Sequence, residues 1–245
     1  MLGLSISAIG MRPISECIGI FKSLTPSLQL EYLELAIGSN CRIDYSYPNI
    51  PLILHDSCLY EKNHRQILKL SKPETWSIYA DFIQQNQHVV AVSIHAPRRW
   101  ECSRSELERS LLDLQQVLQV PVAVEVMPTV DYWCSSLDSL VDFPLLLDVS
   151  HVLIWQQGNY QATENTCREL LKSHQIIEIH LSHNQGIADT HDLIPVDVWF
   201  DRYIADWRTQ YFVTYESLPR SLIADMDCKI IDRQGGKSPP VFIYR

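Results

Sequence analysis

The chain has 245 residues, 46% hydrophobic and 20% charged, with 29 Asp and Glu against 20 Lys and Arg. This composition supports an ordinary globular core and excludes a disordered or fibrous chain. The length suits one large α/β domain or two small ones, and single α/β barrels run to about 250 residues. The acidic balance argues against nucleic acid as a partner, because such binding draws on clustered positive charge.

Short apolar runs of strand type fall at 2–7, 31–36, 51–54, 89–94, 121–126, 144–148, 175–180 and 211–215. Segments of helical character lie between them at 13–23, 73–86, 103–119, 162–174 and 196–208. In 103–119 the residues Leu107, Leu111, Leu114 and Leu118 recur at three- and four-residue steps, Ser103 and Ser105 offer caps, and acidic residues fill the first turn. Eight strands alternating with helices imply a parallel sheet, and eight is the number that closes a (β/α)8 TIM barrel, here a single domain over 1–245. A doubly wound open sheet is the competing fold, but no GxGxxG follows the first strand and the chain holds only 8 Gly.

The opening MLGLSISAIGMRPISECIGIF has no basic start and is broken by Ser, Gly and Pro, so it reads as a first strand and loop rather than a signal peptide. The closing DRQGGKSPPVFIYR reads as a tail packed on the barrel or an edge strand elsewhere. No run reaches the roughly 18 apolar residues of a membrane span. Seven cysteines with no CxxC pair read as reduced thiols of a cytoplasmic protein.

The chemistry lies where the strands stop. The stretches LILHD, SIHAP, AVEVMP, LLLDVSH, IIEIHLSHN, ADTHD and TYES carry His55, His95, Glu125, Asp148, His151, His180, Asp189, His191 and Glu216. Taken singly, each has a plain reading: a His near a strand end is ordinarily a satisfied histidine, and Asp148 could simply cap the next helix. Taken together, they place imidazoles and carboxylates at the C-terminal ends of strands 3 to 8, which converge on one mouth in a barrel. Ligands of these types without thiolate suit divalent Fe, Zn or Mn. Five His and four carboxylates exceed the needs of one ion, so the expectation is two to three ions, with Glu125 the natural bridge.

The pair Asp148 and His151 stands where a strand turns into a loop, and Asp189 and His191 share one side of an extended segment. Arg98, Arg99 and Trp100 follow His95 and offer a grip for an anionic or planar substrate, or form a surface loop. His183 and Asn184 are candidates to orient His180. Glu34, inside strand 2, either reaches the mouth or is paired internally. His64, His88 and His174 read as ordinary surface residues.

These motifs resemble the xylose-isomerase-like barrel superfamily, which includes sugar isomerases and epimerases and the endonuclease IV family of apurinic-site nucleases. Glu125, Asp148, His180 and Glu216 match the four ligands on strands 5 to 8 of that superfamily. His55, His95 and the Asp148/His151 and Asp189/His191 pairs look like the additional ligands of its trinuclear members. The segments LLLDVSHVLIWQQGN and IEIHLSHNQGIADTHDLIPVDVW are similar to those of the methanobactin-biosynthesis oxidase family. Its members are multinuclear non-haem iron enzymes that modify cysteine-containing peptides with dioxygen, usually with a partner protein.

The resemblance covers roughly 120–220 directly and the first half by strand-end placement. It implies a multinuclear oxidase with a peptide or small-molecule substrate and a possible partner protein, with Glu125, His183 and Glu216 as catalytic groups. A sugar isomerase or epimerase is the alternative, and an endonuclease-type phosphodiesterase the weaker one. The chain departs from the oxidase pattern at Ser182-His183-Asn184, and DLIPVD replaces the nuclease branch's Gly-rich stretch.

Overall fold

The computed structural model describes residues 1–10, 12–37 and 41–225, so the closing DRQGGKSPPVFIYR segment lies outside the described residues. Eight strands form a closed barrel: β1 (Leu2–Ser5), β2 (Tyr32–Leu35), β3 (Leu52–His55), β4 (Val89–His95), β5 (Val122–Glu125), β6 (Leu145–Asp148), β7 (Ile176–Leu181) and β8 (Phe212–Tyr215). Each pairs in parallel with the next, and β8 closes on β1. The architecture is the expected (β/α)8 barrel.

Among the described residues the helices are α1 (Ile14–Leu28), α2 (Ser77–Gln85), α3 (Arg104–Leu118), α4 (Val149–Trp155), α5 (Tyr160–Ser173), α6 (Asp201–Gln210) and α7 (Arg220–Asp225). Helix α3 shows why its sequence folds so. The Ser103 hydroxyl accepts the Glu106 N–H while the Glu106 carboxylate accepts the Ser103 N–H, and Leu107, Leu111, Leu114 and Leu118 are all buried. Each such leucine contributes about 1.5–3 kcal/mol relative to an exposed one. A small sheet of Cys41–Arg42, Leu59–Glu61 and His64–Gln66 stands in the loops after β2 and β3.

Helix α4 departs from the expected loop after β6. In its VSHVLIW three of seven residues, Val149, Val152 and Ile154, are β-branched, which lowers helix propensity. What starts the helix is Asp148, whose Oδ1 accepts the N–H groups of Ser150 at 2.6 Å and His151 at 3.1 Å.

Side-chain alternation layers the barrel interior. The N-terminal end is filled by Tyr32, Ile53 and Ala91. Gly3 is required beside them, because a Cβ there would come within 2.4 Å of the Tyr32 ring. Above lie Glu34, Ser93, Glu178 and Thr214, all fully buried. Uppermost come the residues that end the strands. Among the described residues no helix is long and apolar enough to cross a membrane.

Candidate metal centre

Strand register brings the first ligands together: His95 is the neighbour of Glu125, and Asp148 of His180, so each pair points the same way. Helix α4 adds His151 from its first turn. The loop after β7 adds Asp189 and His191, and the residue after β8 adds Glu216. All nine candidate residues meet at the C-terminal mouth.

Their side chains form a continuous chain of close contacts. Glu125 Oε2 lies 3.3 Å from His55 Nε2 and 3.5 Å from His95 Nε2, while Glu125 Oε1 lies 3.4 Å from His151 Nδ1. From His151 Nε2 the chain runs to Asp148 Oδ2 at 3.7 Å and to Asp189 Oδ2 at 3.2 Å. Asp189 Oδ2 is 3.2 Å from His191 Nε2, His191 Nδ1 is 3.6 Å from Glu216 Oε2, and Glu216 Oε2 is 3.2 Å from His180 Nδ1. Glu125 thus belongs to two groups, one with His55 and His95 and one with Asp148 and His151, and Asp148 also groups with His180 and Glu216.

The donor set fits divalent ions. Two ligands each about 2.0–2.2 Å from one ion stand roughly 3.0–3.6 Å apart, close to the separations along this chain. Asp148 Oδ2, His151 Nε2, His180 Nδ1 and Glu216 Oε2 are buried and have no hydrogen-bond partner. Orphaned buried polar atoms cost about 1–3 kcal/mol each; those of Asp148, His180 and Glu216 belong to one group that could hold a cation, and His151 shares a second with Asp148 and Glu125.

The rings are held from behind. His151 Nδ1 donates to the Val126 carbonyl at 2.7 Å, leaving Nε2 toward Asp148 and Asp189. Asp56 serves both histidines of the first group. His95 Nδ1 lies 3.0 and 3.1 Å from its carboxylate oxygens. His55 Nδ1 is 3.2 Å from Oδ1, with the Asp56 backbone N–H at 3.0 Å. Burial opposes charge on Asp56, yet His95 and His55 hold its carboxyl well below the usual range. Burial also opposes charge on His151, but Asp148, Asp189 and Glu125 outweigh it and raise its pKa well above the usual value. Asp148 goes the other way: burial, with Glu216, Asp189 and Glu125 nearby, pushes its carboxyl up to about 6 against the pull of His151.

Asp56 and Glu178 carry no role in the sequence reading. Asp56 directly follows His55 at the close of LILHD, and Glu178 is a charge set within the apolar strand IIEIHL; those were the available signals. His183 and Asn184 sit elsewhere than expected. The His183 ring stacks on Tyr160 at 6.3 Å. Asn184 donates to the Ser150 carbonyl at 3.1 Å and accepts the Gly186 N–H at 2.8 Å. The residues on His180 Nε2 are Glu34 and Glu178. The ring of Asp189 and His191 also closes differently from an extended strand, since His191 adopts a left-handed φ of 48°.

Arg98 and Arg99 are engaged within the protein. Arg98 pairs with Asp131 and lies 4.8 Å from the ring centroids of both Trp100 and Tyr132. Arg99 donates to the Tyr132 carbonyl at 3.0 Å and Ser135 Oγ at 3.2 Å. This stack holds Trp100 outward, 68% exposed.

The loop that carries Asp189 and His191 is seated by two glycines. Gly158 and Gly186 have φ of +82° and +74°, and a Cβ on Gly186 would lie 2.2 Å from the Gly158 nitrogen. Gly186→Ala is therefore expected to cost about 1–3 kcal/mol through left-handed strain and to push the loop off the turn between α4 and α5. Thermal melts, with amide exchange across 185–192, check it; unchanged exchange there would mean the loop is seated by something else.

No protein-family model matches this chain, and a search of curated proteins gives no significant match.

Proposed function

We propose that this protein is a multinuclear metalloenzyme holding two to three divalent ions (Fe, Zn or Mn), and that with iron it acts as a peptide-modifying oxidase. The observation that carries the metal reading is the set of four unpartnered buried atoms on Asp148, His151, His180 and Glu216, which fall into two ligand groups sharing Asp148, one with Glu125 and His151 and one with His180 and Glu216. His55, His95 and Glu125 would hold one ion. Glu125, Asp148, His151 and Asp189 would hold a second, and His180, Glu216, His191 and Asp148 a third. The oxidase reading is supported by the sequence resemblance at 120–220.

Bound iron would supply redox chemistry toward dioxygen. The chain's own residues do the rest. Glu125 fixes the spacing of two groups with one carboxylate. Asp56 and the Val126 carbonyl lock imidazole orientation. Burial lowers the pKa of His183 against the pull of Asp192, and Glu216 stands at the mouth beside His180 and His191. Trp100, backed by Arg98 and Tyr132, gives the substrate a rigid wall. A peptide substrate and a partner protein belong to the same reading.

Elemental analysis of protein purified without added metal and without oxygen tests it. Two to three iron atoms per chain is the expected result. Zinc or manganese in that number would turn the reading to a sugar isomerase or a hydrolase, and no metal after reconstitution would overturn it.

A further inference from the structure

We infer that Glu34 is a positioning residue for the candidate centre: from below the mouth it takes the Nε2–H of His180 and so turns Nδ1 of that ring toward the ligand cluster. Its consequence for metal rests on the reading above, whereas the contact itself rests on geometry alone. His180 Nε2 lies 3.0 Å from Glu34 Oε1, and His180 Nδ1 lies 3.2 Å from Glu216 Oε2 without forming a hydrogen bond. Both side chains are fully buried.

The neighbouring carboxylate is committed elsewhere. Glu178 Oε1 accepts from the Thr214 hydroxyl and Glu178 Oε2 from the Ser93 hydroxyl, each at 2.5 Å. Because Thr214 gives its proton to Glu178, the Tyr32 hydroxyl, 2.6 Å away, must donate to Thr214. Glu178 is thereby anchored by a hydroxyl on each oxygen, and it stands farther from His180 Nε2, at 3.5 Å. Glu34 has no comparable anchor: one oxygen meets the imidazole and the other, Oε2, is buried without a partner. Its hydrogen bond is to His180.

A glutamate kept only for stability would be a poor choice at this position. Replacing a buried ionic group by an apolar one of similar volume is often neutral or stabilising. What an apolar residue cannot do is decide which imidazole nitrogen keeps its proton. With a carboxylate on Nε2 the proton stays there, the lone pair sits on Nδ1, and the ring becomes a stronger ligand. Strand β2 contributes to the centre in this way.

The experiment uses the full chain with labelled histidine. In the metal-free protein the Nε2–H of His180, assigned by its absence in His180→Gln, is expected as a slowly exchanging, downfield proton resonance. Glu34→Gln keeps an acceptor there and retains the resonance. Glu34→Ala and the shape-conserving Glu34→Leu lose it. Zinc affinity, measured by competition with a chelator, is expected to fall about 10–100-fold in the Ala and Leu variants and by less in Glu34→Gln.

A resonance that survives Glu34→Leu overturns the inference, as does wild-type zinc affinity in that variant. If the wild-type chain binds no zinc, the metalloenzyme reading falls, and the resonance alone still decides whether Glu34 holds His180.

Discussion

Glu125→Gln is expected to remove two ions from the centre at once, the largest single-residue effect at this site. The carboxylate is buried at the end of β5, with Oε2 facing His55 and His95 and Oε1 facing His151. Gln has nearly the same volume, so the packing at this position survives. One of its two ends becomes an NH2 group, however, which donates protons and offers no lone pair to a cation. Whichever way the amide turns, one of the two groups loses a ligand and both lose its negative charge.

Even partners that only orient a ligand change metal affinity about 10–100-fold, so losing the ligand is expected to cost more than about 100-fold at one position, and losing the charge about 10–100-fold at the other. The group of Asp148, His180 and Glu216 has no member in common with this change and keeps its ion. Metal per chain is expected to fall from about three to about one after dialysis, measured by elemental analysis with folding checked by circular dichroism. His95→Ala, which touches one group only, is the comparison and loses one ion. A full metal complement in Glu125→Gln would show that this carboxylate bridges nothing.

Much of this centre was legible because it interrupts a strong pattern. Apolar strands such as LILH and LLLD end on groups that packing alone does not call for, and a closed parallel barrel gathers those ends into one place. What stayed hidden depends on contacts between distant segments. Asp56 looks like a solvated strand end until His95, 39 residues later, arrives at its carboxylate. Helix α4 looks like a strand or loop, because tertiary burial and one capping carboxylate override the β-branched composition of VSHVLIW. Arg98 looks like an anion grip and is held by Asp131 from the next loop. In each case the local sequence leaves two outcomes open and a partner elsewhere in the chain selects one.

Stripping the metal with a chelator is expected to lower the melting temperature steeply, and by an amount that depends on pH. An ion present at 100 times its dissociation constant stabilises the folded chain by about 2.7 kcal/mol. For a chain of this size each kcal/mol moves the midpoint by about 2–4 °C. Loss of a single ion is therefore worth roughly 5–11 °C, and loss of three several times that.

The sign of the pH dependence follows from what replaces the ions. In the metal-free protein burial opposes charge on His191, but Glu216 and Asp189 raise its pKa from 6.5 to about 10. A raised histidine pKa contributes stability that is fully present below about pH 6.5, where the unfolded chain also titrates, and is lost as pH rises toward 10. Protons thus partly stand in for the metal at low pH. They also compete with it, since an imidazole must shed its proton to become a ligand. Both effects act in one direction: the gap in melting temperature between loaded and stripped protein is expected to widen from pH 6 to pH 9. Scanning calorimetry across that range, with and without chelator, would expose the opposite case. A gap that is absent, or that narrows as pH rises, would mean that these imidazoles are not the ligands.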